Sequence, residues 1–378
     1  MKTKNTLLSE ILTLVLCFGG TLWAATYGGG SGTEAEPYQI RTPEQMNTIG
    51  ATPDDWGKFF ELMADIDMSI YTGTQYNLIG NLTTQFTGTF DGNGHTLRNL
   101  TYTTTAMVDY VGVFGYIADA TIQNLSVENV SISSDGWYIG GLVGYNSLGS
   151  LVACSATGSV SRTGTDIFSY AGGLVGLNYG SLDACTAAVS VHGTGALVGG
   201  LVGDNYGLLT ACIATGAVIG NSDVGGLAGR NLGMLRDCYA VGSVTGNSDV
   251  GGLVGSVNGG AAVGCFWDTE TSGQAASAGG TGKTTAEMKT LSTFTDAEWD
   301  FEETWAICET THYPRLQWQI PIGDIVCPNG VTIEDFSFFA RHWLETESEP
   351  VGGADLTGDG VVDLEDLMLF CAHWLQGV

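Results

Sequence analysis

The sequence is poor in basic residues and in proline. It holds 12 Lys and Arg against 40 Asp and Glu, a formal net charge of −28 over 378 residues. That charge repels the phosphates of nucleic acids and anionic membrane surfaces, so no nucleic acid is expected as a partner. Seven prolines beside 57 glycines fit neither a collagen-like helix nor a disordered linker, because the chain also holds many apolar and aromatic residues. The glycines are more typical of frequent tight turns.

Long apolar runs are also scarce, and the main one lies at the N-terminus. Two lysines in the first four residues precede an apolar stretch over residues 11–18, and the small residues Ala24 and Ala25 follow. This order predicts a secretory signal peptide over residues 1–25. No other stretch approaches the roughly 20 apolar residues of a transmembrane helix. The sequence therefore predicts an exported protein, extracellular or at the cell surface, with no transmembrane segment.

A glycine-rich segment recurs five times in the middle of the chain. It begins as Gly-Gly-Leu-Val-Gly-Tyr-Asn at residues 140–146, and later copies start at Gly172, Gly199, Gly225 and Gly251. A degraded copy occupies residues 111–116. Apolar residues alternate between the glycines without a helical period, so each unit predicts a few short strands joined by turns. A repeat of this length is typical of stacked architectures.

One such unit cannot bury its own apolar face, whereas a stack of units can. The predicted fold class is all-β, a right-handed parallel β-helix (β-solenoid), because crossovers between parallel strands are right-handed. Residues 111–265 hold the repeats, residues 26–110 are expected to form an N-terminal β cap, and residues 266–320 a cap at the other end. One leucine of each copy is expected to join a single internal column: Leu142, Leu174, Leu201, Leu227 and Leu253.

Two further residue types recur in register with the leucines. The asparagine of each copy is expected at a turn, with left-handed backbone geometry and an amide that bonds to the next rung. Disulfides are possible between the cysteines of a secreted chain, but five equivalent positions cannot all pair, which favours a buried ladder of free thiols. Cys308, Cys327 and Cys371 lie outside this ladder and could form one disulfide. The two columns are Asn146, Asn178, Asn205, Asn231 and Asn258, and Cys154, Cys185, Cys212, Cys238 and Cys265.

The unit Gly-Gly-Leu-Val-Gly-x-Asn, followed by a cysteine and Ala-x-Gly-x-Val, closely resembles the GLUG motif of bacterial surface and secreted proteins. The segments at residues 37–40, 65–68 and 86–95 are similar to those that commonly precede that motif. The resemblance covers roughly residues 38–318. It implies surface display or adhesion more than any reaction.

A second, shorter repeat follows Pro321. Residues 339–344 are echoed at residues 370–375, and the apolar spacing in both copies predicts helices that could pack together. The loop at residues 355–366, before the second helix, has the ligand spacing of a calcium loop, with Gly360 at its sharp turn. The expected calcium ligands are the side chains of Asp355, Thr357, Asp359, Asp363 and Asp366 and the carbonyl of Val361.

Two loop–helix units of this kind resemble the duplicated module of a type I dockerin, over residues 321–378. The resemblance implies a small α-helical, EF-hand-like domain, with calcium as cofactor and a cohesin-like protein as partner. In that family the partner contacts the end of each loop and the first helical turn, where this chain has Ile333 and Leu364. The first loop departs from the pattern at Val326 and Pro328, where ligands belong, which puts its calcium site in doubt.

Parallel β-helices also include polysaccharide hydrolases and lyases, so catalysis is the alternative to a structural role. Acid–base chemistry on sugars needs two carboxylates at a defined distance, or a base beside a bound cation. Charged residues of the repeats are few and mostly single. Asp204 and Arg230 predict a surface ion pair between rungs, and Asp223 and Asp249 predict stacked solvated turns rather than a metal site. The sequence favours a noncatalytic surface or scaffold protein, and a glycan or cell-surface ligand is possible.

Overall fold

The computed structural model describes residues 27–164, 169–327, 329–346 and 353–376. The chain forms a parallel β-solenoid of about seven turns, which confirms the fold predicted for the repeats. The predicted signal peptide lies outside the described residues. Within the described ranges, no helix is both long enough and apolar enough to cross a membrane.

Four parallel sheets, here named A to D, build the solenoid. Sheet A holds nine strands: Tyr38–Ile40, Phe59–Leu62, Thr89–Asp91, Thr121–Gln123, Ser150–Val152, Ser181–Asp183, Leu208–Thr210, Met234–Arg236 and Ala261–Val263. Sheet B holds twelve: Ile66–Asp67, Thr96–Arg98, Thr101–Thr103, Ser126–Ser134, Ser155–Arg162, Thr186–Gly193, Ile213–Ala214, Val218–Ile219, Tyr239–Ala240, Val244–Thr245, Phe266–Asp268 and Thr281–Lys283.

Sheets C and D carry the two halves of the glycine-rich motif. Sheet C holds Phe114–Ala118, Val143–Ser147, Val175–Asn178, Val202–Asn205, Ala228–Asn231 and Val254–Val257. Sheet D holds Tyr110–Val111, Tyr138–Gly140, Tyr170–Gly172, Ala196–Gly199, Ser222–Gly225 and Ser248–Gly251. Because equivalent residues pair across every rung, each side chain recurs as a column along the solenoid axis.

The motif glycines serve close packing as well as bends, since the second glycine of each copy lies at the bend between a sheet D strand and a sheet C strand. Among the described residues, no glycine of the five motif copies has a left-handed backbone. In Gly176, a Cβ atom would lie 2.6 Å from the carbonyl oxygen of Gly144 on the neighbouring rung and 2.6 Å from the nitrogen of Ile139 in sheet D. Sheets C and D therefore approach each other at a distance that admits only hydrogen at this position.

Buried columns fill the interior. All five predicted leucines are fully buried, which confirms their column. All five predicted cysteines are free and buried, and burial raises the pKa of the Cys154 and Cys212 thiols. Cys212 Sγ donates to the carbonyl of Leu182 on the preceding rung at 3.6 Å. The predicted ladder of buried, free thiols is therefore confirmed.

The asparagine column is a hydrogen-bonded ladder of four residues. The Nδ2 atom of each donates to Oδ1 of the next, at 2.8 Å from Asn146 to Asn178, from Asn178 to Asn205 and from Asn205 to Asn231. The expected left-handed geometry is wrong, since these residues lie at the ends of sheet C strands. Asn258 is exposed and outside the ladder because the extra residue of the last copy places Val257 opposite Asn231.

Asn178→Ala is expected to lower the free energy of unfolding by about 2 kcal/mol, because it removes one hydrogen bond from each of two buried amide groups. Asn146 would lose an acceptor and Asn205 a donor. Chemical denaturation of the full chain measures the effect. Asn258→Ala is the matched control. It should change the free energy of unfolding by less than about 0.5 kcal/mol, because the exposed side chain is hydrated in both the folded and the unfolded chain. Equal losses in both variants would contradict a cooperative ladder.

The residues expected as an N-terminal cap form further rungs of sheets A and B. Helix α1, Pro43–Ala51, follows the terminal strand of sheet A and begins at Thr42, whose side chain accepts from Gln45 N at 3.3 Å. Its residues Met46 and Ile49 are buried in the same apolar core as the leucine column. Nonlocal strand pairing, which sequence spacing alone does not reveal here, therefore joins this region to the repeats.

The segment after the last repeat covers both the end and one flank of the solenoid. Short helices α2, Thr269–Ser272, and α3, Leu291–Thr295, and an antiparallel pair, Trp305–Ala306 with Arg315–Leu316, belong to it. Trp267 packs against Gly252 of the last turn. Farther on, Trp318 Nε1 donates to the carbonyl of Ala184 at 3.0 Å. An aromatic cluster joins the segment to sheet B: Tyr239, Phe266, Phe294, Trp299 and Trp305.

The two predicted C-terminal helices are present as α4, Ile333–Arg341, and α5, Leu364–Ala372. Phe339 and Phe370 stack between them with ring centroids 5.4 Å apart. A disulfide joins Cys308 of the preceding segment to Cys327, and Cys371 is free and exposed. The C-terminal module, residues 321–376 as described, is therefore attached to the flanking segment by a covalent bond as well as by the chain.

Candidate functional site

The second loop of the C-terminal module is organised around the carboxylate of Asp366. This buried side chain accepts hydrogen bonds from the backbone nitrogens of Leu356 at 2.8 Å, Thr357 at 2.9 Å and Asp363 at 2.8 Å. Burial raises the pKa of Asp366, but these hydrogen bonds outweigh burial and lower it below its usual range. The loop is therefore closed around an ionised carboxylate.

Three other carboxylates accept hydrogen bonds from backbone nitrogens within the same loop. Asp355 accepts from Gly358 N at 2.7 Å through Oδ1 and from Gly360 N at 2.8 Å through Oδ2. Asp359 is exposed and accepts from Val361 N at 2.9 Å. The hydroxyl of Thr357 lies 3.4 Å from Asp355 Oδ1. Asp363 caps helix α5 by accepting from Glu365 N at 2.8 Å.

The predicted ligand set fits calcium by the chemistry of its donors. Four carboxylates, one hydroxyl and one carbonyl supply only oxygen, the ligand that calcium prefers. The structure brings Asp355, Thr357 and Asp366 together through hydrogen bonds and directs Asp359 and Asp363 to other backbone partners. In the described ranges, no three His, Cys, Asp or Glu side chains gather as a group that could hold a metal ion. Side chains of the loop must therefore turn to coordinate an ion.

The first loop has the same backbone hydrogen bonds around a carboxylate, and a disulfide in addition. Asp335 accepts from the backbone nitrogens of Ile325 at 2.8 Å, Val326 at 2.9 Å and Thr332 at 2.8 Å, as Asp366 does in the second loop. Burial raises the pKa of Asp324, and its Oδ1 atom is buried without a hydrogen-bond partner among the described residues. The Cys308–Cys327 disulfide fixes this loop at the position where the second loop has Gly358.

The C-terminal module also exposes apolar side chains at equivalent places in its two halves. Ile333 and Leu364, the first residues of α4 and α5, are 64% and 61% exposed. Beside them lies a groove of about 360 Å³, lined by Ile333, Phe336, Phe370, Cys371 and Trp374. Exposed apolar residues concentrated on one small module are typical of a protein-binding surface.

Asp204 of the solenoid forms an ion pair with Arg230 of the next rung. Arg230 donates to Asp204 at 3.0 Å from Nε and at 2.6 Å from Nη2, so the predicted ion pair is confirmed. Its predicted place on the surface is wrong, because the Asp204 side chain is fully buried beneath the guanidinium. Burial raises the pKa of Asp204, against the opposing effect of Arg230. Such a pair holds neighbouring rungs together and leaves Asp204 inaccessible as a base.

Asp223 and Asp249 occupy equivalent places on neighbouring rungs, as predicted. Both have left-handed backbones, with φ of 49° in each. The hydroxyl of Ser256 donates to Asp223, and Asn247 Nδ2 donates to Asn221 Oδ1 at 2.9 Å beside the two carboxylates. The two residues lie within the sheet D strands Ser222–Gly225 and Ser248–Gly251, so their prediction as turn residues is wrong.

Sequence reasoning missed a continuous strip of aromatic side chains on sheets C and D. Rings of Tyr110 and Tyr138 stack with centroids 5.1 Å apart, and those of Tyr138 and Tyr170 with centroids 5.0 Å apart. Recurrence of tyrosine just before the motif and at its sixth position was the available signal. This tyrosine strip consists of Tyr110, Tyr116, Tyr138, Tyr145, Tyr170, Tyr179 and Tyr206.

Comparisons with known proteins agree with the repeat architecture. The model of the GLUG motif matches residues 135–161 and 220–245. Halomucin of Haloquadratum walsbyi is 34% identical over 166 residues, which are 42% of this chain and 2% of halomucin. A protein of Evansella cellulosilytica named "Putative Gly-rich membrane protein" is 30% identical over 129 residues, 32% of this chain and 15% of that protein. This chain thus spans a small part of the length of these relatives.

A solved structure shares the fold. The crystal structure described as that of "a putative immunoglobulin A1 protease from Bacteroides ovatus" superposes with a TM-score of 0.59. The alignment covers 78% of this chain and 96% of that chain, at 21% sequence identity. At this identity the likeness is one of fold alone. The chain is accordingly a β-solenoid, and two stretches of its repeats, residues 135–161 and 220–245, match the GLUG motif.

Proposed function

We propose that this protein is a noncatalytic β-solenoid outside the cell or on its surface, attached to a protein partner through an EF-hand-like C-terminal module that binds calcium. The solenoid, coiled in the right-handed sense, is the displayed part and the module is the tether. The partner is a cohesin-like protein, as the resemblance of the two loop–helix units to a dockerin suggests.

The observation that carries this proposal is the exposed apolar surface of the C-terminal module. Ile333 and Leu364 begin the two helices and both project into solvent. Asp335 and Asp366 make the same set of backbone hydrogen bonds directly behind them, so each loop positions its apolar residue in the same way. A duplicated apolar surface on rigid helices supports docking to another protein.

The architecture of the solenoid supports a noncatalytic role. The bidentate ion pair of Arg230 with Asp204 buries the carboxylate, and Asp223 and Asp249 lie on neighbouring strands of sheet D. The charge of −28 keeps an exported chain soluble and separates it from anionic surfaces. The similarity to halomucin and to a protein named as a Gly-rich membrane protein supports a location at the cell surface.

Calcium should bind once per chain, at residues 355–366. Four carboxylates within twelve residues repel one another, so a cation should stabilise the folded module through linkage between binding and folding. Asp359→Asn should reduce the calcium affinity at least tenfold, because it removes the negative charge of one ligand. It should leave the fold intact, because Asp359 is exposed and caps no helix. Titration calorimetry on the full chain, which keeps the Cys308–Cys327 disulfide, measures the stoichiometry.

Asp324→Asn is the matched control for this titration, because the first loop lacks ligands at Val326 and Pro328. Its affinity and stoichiometry should equal those of the native chain. Two equal sites would mean that the first loop also binds calcium. No binding at all would overturn the calcium-dependent tether.

The same proteins test the function. Immobilised cohesin domains should capture the native chain in calcium and release it in chelator, and Ile333→Asp with Leu364→Asp should abolish capture without changing the calcium titration. Incubation with a panel of polysaccharides should yield neither new reducing ends nor unsaturated products. Cleavage of any glycan would overturn the noncatalytic role. Capture by no cohesin domain would overturn the proposed partner.

A further inference from the structure

The tyrosine strip lies where sheets C and D meet and extends over consecutive rungs. Tyr110, Tyr138 and Tyr170 stack with interplanar angles of 10° and 6°. The strip continues through Tyr145 to Tyr179, and Tyr179 stacks on Tyr206 with centroids 4.3 Å apart. The strip is therefore a continuous aromatic surface rather than a set of isolated residues.

The strip remains in contact with solvent along its length. Its side chains are half-buried, Tyr179 is exposed, and the neighbouring Trp137 is 40% exposed with its ring at 74° to that of Tyr138. Burial raises the pKa of Tyr138 to about 12 and also raises the pKa of Tyr110, Tyr145 and Tyr170. The phenols therefore stay protonated at physiological pH and can both donate and accept hydrogen bonds.

An anionic ligand does not fit this surface. At the far end of the strip, Arg230 is neutralised by Asp204 and its Nη2 lies 3.4 Å from the hydroxyl of Tyr206. At the near end, Asp109 lies beside Tyr110 and Tyr138, and its Oδ1 atom has no hydrogen-bond partner among the described residues. That oxygen is buried, so it does not face a ligand on the surface, and the charge of −28 repels polyanions.

The period of the strip selects a linear polymer. Successive phenols recur every 5.0 to 5.1 Å, the spacing of the rungs themselves. An extended, equatorially linked hexopyranose chain repeats at nearly the same interval, so each sugar can make the same contacts on successive rungs. Sugars also present apolar C–H groups and hydroxyls together, which matches ring edges flanked by phenol oxygens.

We propose that the tyrosine strip binds a neutral, linear β-linked polysaccharide laid along the solenoid axis, with Tyr138 and Tyr170 at the centre of the site. This proposal rests on the noncatalytic function proposed above and names the ligand of the displayed solenoid. The aromatic stack supplies a rigid surface, and the phenol hydroxyls supply the hydrogen bonds.

The test is binding of the full chain to insoluble cellulose and to soluble β-mannan and xylan, with an anionic polymer, alginate, as a fourth probe. Tyr138→Ala with Tyr170→Ala should abolish binding of the neutral glycan. Tyr138→Phe with Tyr170→Phe keeps the stack and should weaken binding about tenfold by removing two hydroxyls. Leu208→Ala, at a residue 42% exposed on sheet A, is the control and should bind as the native chain does.

The melting temperatures of the native chain and its three variants distinguish lost binding from lost folding. The Phe variant should have the same melting temperature as the native chain. Neutral binding that survives both strip variants would overturn the proposal, as would binding to alginate alone or to none of the four polymers. Self-association that disappears in the strip variants would show that a second copy covers the strip and would overturn it too. Cleavage of a bound glycan would contradict the noncatalytic function and leave the location of the site standing.

Discussion

Gly203→Ala is expected to destabilise the solenoid by about 3 kcal/mol or more, because the added methyl group has no room and only backbone atoms surround it. A Cβ atom there would lie 2.6 Å from the carbonyl oxygen of Gly176, 2.8 Å from the nitrogen of Ala171 and 2.9 Å from the carbonyl oxygen of Leu197. These three atoms belong to the neighbouring rung of sheet C and to two rungs of sheet D. Relief of the clash must therefore separate the two sheets.

Chemical denaturation of the full chain measures this loss, and Gly57→Ala is the matched control. Gly57 is exposed, has no left-handed backbone, and would place its Cβ atom 3.4 Å from the Thr87 hydroxyl as its nearest contact. Alanine there should be neutral or stabilise the chain by a few tenths of a kcal/mol, because it restricts the unfolded chain. Similar losses at Gly57 and Gly203 would show that the motif glycines are not required by close packing.

The repeat fold was predictable because its evidence lies in register along the chain. The leucine and cysteine columns recur with the glycine motif, and each repeat leaves an apolar face that only stacking can bury. The rungs before residue 111 were expected as a separate cap because they lack the motif. Their place in sheets A and B depends on pairing between distant residues such as Phe60 and Phe90, which share no local pattern.

The spacing of residues in the sequence did not reveal how deeply a side chain is buried or which backbone atoms lie against it. Asp204 and Arg230 were predicted as a pair from their shared column. The sequence does not show that the Asp204 side chain is fully buried while that of Arg230 is 28% exposed. The motif glycines suggested turns, because sequence alone does not show which backbone atoms face a glycine across two sheets. The calcium loop is a prediction from ligand spacing, whereas the disulfide at Cys327 required the fold of the preceding segment.

Removal of one complete turn should leave a folded protein. In a stack of repeats each turn contacts only its neighbours, so the remaining turns can close over the gap. Deletion of residues 138–169 brings Tyr110 opposite Tyr170 and Phe114 opposite Val175, because both members of each pair face the same deleted residue. Every column then continues with one member fewer.

Removal of half a turn should prevent folding of the stack. Deletion of residues 138–153 takes away the strands of sheets A, C and D in one turn and leaves the sheet B strand Ser155–Arg162. That strand can then join its sheet only if the neighbouring rungs separate. The buried columns would be broken on both sides of the deletion.

Thermal unfolding of these two deletion variants, followed by circular dichroism beside the native chain, tests the central claim that each repeat is one self-contained turn of a parallel solenoid. The account predicts a native-like β spectrum and one cooperative transition for the deletion of residues 138–169, and no cooperative transition for the shorter deletion of residues 138–153. Loss of cooperative unfolding in the whole-turn variant, or equal behaviour of the two variants, would contradict it.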